Sequence, residues 1–142
     1  MSNIEVDNLL VALDNESNHS ILNLTSEKIE SIKTSILSDL GISETLIEKL
    51  KLSLKGYMYV DEIPDLTIGA FIRWIPLKTP DNIKLTRGGY ICDITICKEG
   101  IMILLKNHFN KYFQVLLNSC LVFRKLNNEE KILLAAMNYL NK

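Results

Sequence analysis

Cations alternate with flat rings across the eight residues from Lys106 to Phe113, "KNHFNKYF". Lys106 and Lys111 are positive, His108 is partly basic near neutrality, and Phe109, Tyr112 and Phe113 are aromatic. Cations reach phosphates and aromatic faces stack on bases, so this spacing suits contact with a single-stranded nucleic acid. Arg73, Arg87 and Arg124 extend the same basic set. The competing reading assigns most of these rings to a hydrophobic core, with Trp74 and Phe123 as its leading members. Phe109, flanked by polar residues at a turn, fits a core least.

Other reactive residue types give weaker constellations. Cys92, Cys97, His108 and Cys120 contain zinc-ligand types. However, Cys92 and Cys97 are five apart on one predicted strand, about 16 Å from each other. Zinc requires every ligand within about 2.3 Å of one point. An odd cysteine count also argues against a disulfide framework. Cys92 or Cys120 with His108 supplies a nucleophile and a base, but no strand–turn–helix elbow accompanies them. Asp93 and Glu99 flank a hairpin, where carboxylates are usually solvated. No glycine-rich phosphate loop of the GxxxxGK[ST] type is present. These observations predict a binding or assembly module rather than an enzyme, with no metal and no cofactor.

Charge divides the chain. Residues 1–65 carry five lysines against twelve carboxylates, a balance of −7. Residues 66–142 carry eleven cations against five carboxylates, a balance of +6. Such a split marks either a nucleic-acid surface on the basic half or an acidic segment that docks on it. Two partner classes follow: a protein partner or a second copy of the chain, and, as the alternative, a single-stranded nucleic acid. No apolar run approaches the roughly 20 residues needed to span a bilayer. The first residues lack the basic and apolar regions of a signal peptide. The expected location is therefore intracellular: cytoplasmic, nuclear or within a virion.

At 142 residues, 47% apolar and 23% charged, the chain has the length and composition of one globular domain. Residues 1–24 are rich in Asn, Ser and acids and predict a flexible segment with a short amphipathic helix over Ile4–Leu13. A helical hairpin follows over residues 25–56. Thr25 or Ser26 caps its first helix and Gly41 ends it. Ser43 caps the second helix and Gly56 stops it.

The hydrophobic period then changes from three-and-four to two. Tyr57–Val60 is a short strand candidate. Thr67–Leu77 predicts a strand with Ile68, Ala70, Ile72 and Trp74 on one face and a bend at Gly69. Arg87–Cys97 predicts a strand with Tyr90, Cys92, Ile94 and Ile96 on the apolar face. Lys98-Glu99-Gly100 makes a tight turn, Ile101–Lys106 and Lys111–Leu117 form a hairpin, and Asn118–Cys120 is a one-turn step. Leu121–Lys125 is the last strand. Asn127 or Asn128 then caps a C-terminal helix within residues 127–142.

Five strands, a long first connection, two tight hairpins and a one-turn step resemble the SH3-like small barrel. That likeness implies an α+β fold: helical hairpin, five-stranded closed barrel over residues 57–126, and C-terminal helix. An OB-fold is the alternative barrel. The phrases "GAFIRWI" (Gly69–Ile75), "LTRGGYICDI" (Leu85–Ile94) and "VFRKL" (Val122–Leu126) resemble those of uncharacterised small proteins of large DNA viruses. This second likeness implies a viral origin and no particular activity.

Overall fold

The structure, a computed structural model, describes residues 25–140. The helix and flexible segment expected over residues 1–24 lie outside that range. Three helices and six strands make an α+β fold among the described residues.

Helix α1 spans Ser26–Ser38 because Thr25 stays extended and its hydroxyl accepts the Lys28 N–H. Its inward stripe is Ile29, Lys33 and Leu37, spaced four apart. Helix α2, Glu44–Ser53, is capped in the same way by the Ser43 hydroxyl, which accepts the Leu46 N–H. Gly56, at φ +80°, lets the chain leave α2 and enter the sheet. Lys33 is fully buried. Its ammonium donates to the Leu54 carbonyl at 3.0 Å and pairs with Glu30 at 2.7 Å. A cation of α1 thus adds a second donor to a carbonyl at the C-terminal end of α2 that also accepts the Tyr57 N–H.

The strands are β1 (Tyr57–Val60), β2 (Phe71–Pro76), β3 (Gly89–Cys97), β4 (Gly100–Lys106), β5 (Tyr112–Leu116) and β6 (Cys120–Lys125). They form one antiparallel sheet in the order β1-β6-β2-β3-β4-β5. This corrects the expectation of a closed, five-stranded SH3-like barrel, and the OB alternative with it. The sheet is open and has six strands. Tyr57–Val60 joins as a full member by pairing with β6, so β6 lies between β1 and β2. Among the described residues no ladder joins β5 to the other end of the sheet. The 3₁₀ turn Leu117–Ser119 carries the chain from β5 to β6 without closing a ring of hydrogen bonds.

Two strands also differ from their expected shape. The strand expected from Thr67 begins only at Phe71. Residues Thr67–Ala70 form a turn, with Gly69 donating to the Ile91 carbonyl and Ile91 to the Ala70 carbonyl. Ile68, assigned to the apolar face, is therefore exposed. In β3 the register shifts between Ile91 and Asp93, which leaves Cys92 as a bulge. The bulge reverses the facing of the residues before it. Ile91 is buried, while Tyr90, assigned inward from the sequence, is exposed.

The sheet curls around one core of Val60, Ile72, Trp74, Ile91, Ile103, Leu105, Val115 and Val122. On the opposite face, Ile75 and Phe123 pack against Leu37, Leu50 and Leu54 of the helical hairpin. Helix α3, Asn128–Leu140, sets Leu133 and Leu134 against Ile29 and Met58. Its start is a reciprocal cap: Asn127 Oδ1 accepts the Glu130 N–H at 2.8 Å, and Glu130 Oε1 accepts the Asn127 N–H at 3.1 Å.

Candidate functional site

The β4–β5 hairpin owes its tip to one side chain. Asn107 Oδ1 accepts from the N–H groups of both Phe109 and Lys111, at 2.9 and 3.0 Å. Asn110 takes a left-handed conformation at φ 61°, which asparagine tolerates. The Asn107 N–H donates to the Lys111 carbonyl. The loop is thereby fixed while its other side chains remain outward. Phe109 is 73% exposed and Tyr112 61%.

Strand register then aligns a row of side chains. Phe71 is opposite Tyr90, Tyr90 opposite Lys106, and Lys106 opposite Tyr112. Directly opposed residues share a face of the sheet, so these four lie side by side across β2, β3, β4 and β5. The Lys106 ammonium sits 5.8 Å from the centre of the Tyr112 ring, within cation–π range. The Phe71 and Tyr90 rings meet edge to face at 5.0 Å. His108 reaches back onto both, 5.6 Å from Phe71 and 6.0 Å from Tyr90.

Beside this row lies a cavity of about 270 Å³, between the Thr86–Gly88 segment and the hairpin tip. Trp74, Phe109, Phe113 and His108 supply its rings, and Arg87 and Asn107 its polar groups. The Thr86 wall is tightly held. The Thr86 N–H donates to the Trp74 carbonyl, and the Thr86 hydroxyl accepts the Trp74 N–H at 3.2 Å. At Gly88, φ +95°, a Cβ would come within 2.5 Å of the Ile72 carbonyl oxygen and 2.8 Å of the Phe71 ring. Only glycine lets the backbone approach β2 so closely.

The eight residues singled out from sequence do not all gather here. Lys106, His108, Phe109, Lys111 and Tyr112 belong to the hairpin or its base, and Arg87 faces it across the cavity. Arg73 has another task. Its Nε donates to the Thr86 carbonyl at 2.8 Å and its Nη1 to the Ser53 carbonyl at 3.2 Å, so it fastens the cavity wall to the end of α2. Arg124 must be withdrawn from the surface set. It is 5% exposed and grips Glu130 with two nitrogens, at 2.5 and 2.7 Å. Thr86, Gly88 and Asn107 were missed. Asn107 was legible as a loop former, but nothing in the sequence brings Thr86 and Gly88 to Trp74.

No carboxylate occurs between Gly100 and Asn128. Neither Arg87 nor the Lys111 ammonium is engaged by a carboxylate among the described residues. Arg87 and Lys111 are exposed at this end of the sheet, where the cavity walled by Trp74 and Phe113 lies on the core side, the Phe71–Tyr90–Lys106–Tyr112 row lies on the opposite face, and His108 reaches both.

The cysteines stay apart from this site. The Cys92 and Cys97 thiols turn to the carbonyls of Tyr90 and Gly100. Burial pushes the Cys120 thiol up, with Lys78 partly opposing it. Among the described residues no group of three or more His, Cys, Asp or Glu could hold a metal ion. No described helix is long and apolar enough to cross a membrane. Comparison with known proteins finds no matching family model, no matching curated protein and no matching solved structure.

Proposed function

We propose that the protein is a non-enzymatic binding module whose contact face is the β4–β5 hairpin with the neighbouring Phe71–Tyr90 pair, and whose ligand is a single-stranded nucleic acid. One observation carries the reading: exposed rings, and cations that no described carboxylate engages, gather at the β4–β5 hairpin, whose chain from Gly100 to Asn128 holds no carboxylate, while Asp93 of β3 lies one row away on the same sheet face. Cations at Arg87, Lys106 and Lys111 track phosphates, while His108, Phe109 and Tyr112 offer faces to unstacked bases. The scaffold's part is to hold these groups still, through the sheet register and the Asn107 loop.

Anisotropy of a labelled single-stranded oligonucleotide at low salt tests this. Binding is expected, weakening steeply as salt rises. Lys106→Glu with Lys111→Glu should abolish it while the far-ultraviolet spectrum stays native. Absence of binding at low salt would sink the proposal.

A second reading, an adaptor that binds a protein or a second copy, is favoured by the outer edge of β5. That edge pairs with no other strand among the described residues, and open edges accept added strands. Light scattering that shows a concentration-dependent dimer, lost on placing proline at Gln114, would support it.

A further inference from the structure

We infer that the cavity walled by Trp74, Gly88, His108, Phe109 and Phe113 is a slot for one base of that single strand, with Arg87 at its rim for an adjoining phosphate. The inference rests on the nucleic-acid reading and adds a defined subsite to it.

Size limits the occupant. At about 270 Å³, the cavity falls just below the roughly 300–1,000 Å³ of sites that take drug-sized molecules. One flat ring system suits it better than a bulky group. The walls select for shape: four of the lining side chains carry rings, and every base has a face to offer them. Charge selects for the polymer. Arg87 on one side and Lys111 near the other are cations, and no lining residue is a carboxylate. An aromatic side chain of a protein would fill the same space, but a polyanion alone uses the cations on both sides.

The slot is also set in advance. Thr86 is tied twice to Trp74, Arg73 ties Thr86 to the end of α2, and Asn107 fixes the turn beneath Phe109. Little order has to be gained on binding, which favours affinity. Phe109 is the exception among the walls. Its ring is mostly in solvent, so it is free to close over a base held against Trp74.

Trp74 is the sole tryptophan of the chain, which makes the slot directly observable. The intact chain would be titrated with single-stranded oligothymidylate at low salt, following oligonucleotide anisotropy and tryptophan emission together. Both signals should change and saturate at the same concentration. Phe109→Ala should weaken binding about tenfold or more and remove most of the emission change. An oligomer of abasic residues should bind through its phosphates and leave Trp74 emission unaltered. Ordinary binding with constant Trp74 emission, or undiminished affinity of Phe109→Ala, would overturn the slot and leave the nucleic-acid reading standing. Absence of any anisotropy change at low salt would remove that reading and the slot together.

Discussion

The two ends of the sheet treat the same residue types in opposite ways. At the β1–β6–β2 end both faces are covered, one by the curled core and the other by the helices. Polar groups there are turned inward and matched: Lys33 to Leu54 and Glu30, Arg73 to two carbonyls, Arg124 to Glu130. At the β3–β4–β5 end only one face is covered, and Tyr90, Phe109, Tyr112, Lys111 and Arg87 face water. A cation's place in the sheet, and not its presence in the sequence, decides whether it supports the fold or is free for a ligand.

The sharpest way to break this contrast is to remove the partner of the buried arginine. Glu130→Ala leaves Arg124 charged and unpaired, and it also removes half of the α3 cap. Its expected cost in urea unfolding is about 3–5 kcal/mol. Lys111→Glu at the open end should stay within about 0.5 kcal/mol of native stability. Equal losses at the two sites would mean that the division into a structural end and a free end is wrong.

Lys33 should give the next largest effect. Lys33→Met keeps the aliphatic length but removes the charged donor to the Leu54 carbonyl, which retains the Tyr57 N–H, and the pairing with Glu30, an expected loss of about 1–3 kcal/mol. Replacement of exposed Lys49 by Met, on the neighbouring helix, is the comparison and should be close to neutral.

The same contrast explains what could be read from the chain. Helix limits were legible because capping is local: Thr25, Ser43 and Asn127 each act within three or four residues of themselves. The hairpin tip was legible for the same reason, and so was Phe109 as a surface ring. Arg124 was not, because its burial depends on α3 folding back to present Glu130. The facing of β3 failed at a single point. A bulge at Cys92 cannot be inferred from a period of two, and one extra residue swaps the faces of everything before it. Closure of the sheet was misjudged because strand number and turn lengths suit a barrel equally well. The edge pairing of β1 with β6 is a long-range choice that no local signal carries. The cavity is the least legible feature, since Thr86 and Trp74 are joined only by tertiary hydrogen bonds.

Binding at the free end should follow its count of cations. If Arg87, Lys106 and Lys111 each neutralise one phosphate of a single strand, log Kd should vary with log salt with a slope of magnitude about 2. Arg87→Ala should lower that magnitude by about 0.7, and Arg73→Lys should leave it unchanged because Arg73 is held by carbonyls. A fall in slope for Arg73→Lys equal to that for Arg87→Ala would place Arg73 among the contacts after all.

The smallest expected effect lies in alkaline solution, and it again separates the two ends. Burial raises the Tyr57 phenol above its ordinary value of 10.0, with the Arg73 charge pulling the other way. Burial and the nearby Asp61 raise Tyr59. A group whose pKa is raised by folding binds its proton more tightly in the folded state. The stabilisation from Tyr57 and Tyr59 is therefore complete below the ordinary phenol value and is lost as pH rises through the raised one. Urea midpoints measured from roughly pH 9 to pH 11.5 should fall at the alkaline end. Tyr57→Phe with Tyr59→Phe should flatten that fall, because a ring without a hydroxyl has no proton to lose. Tyr112→Phe, at the exposed end, should leave the fall in place, and a flattening by Tyr112→Phe instead would show that its ring is covered.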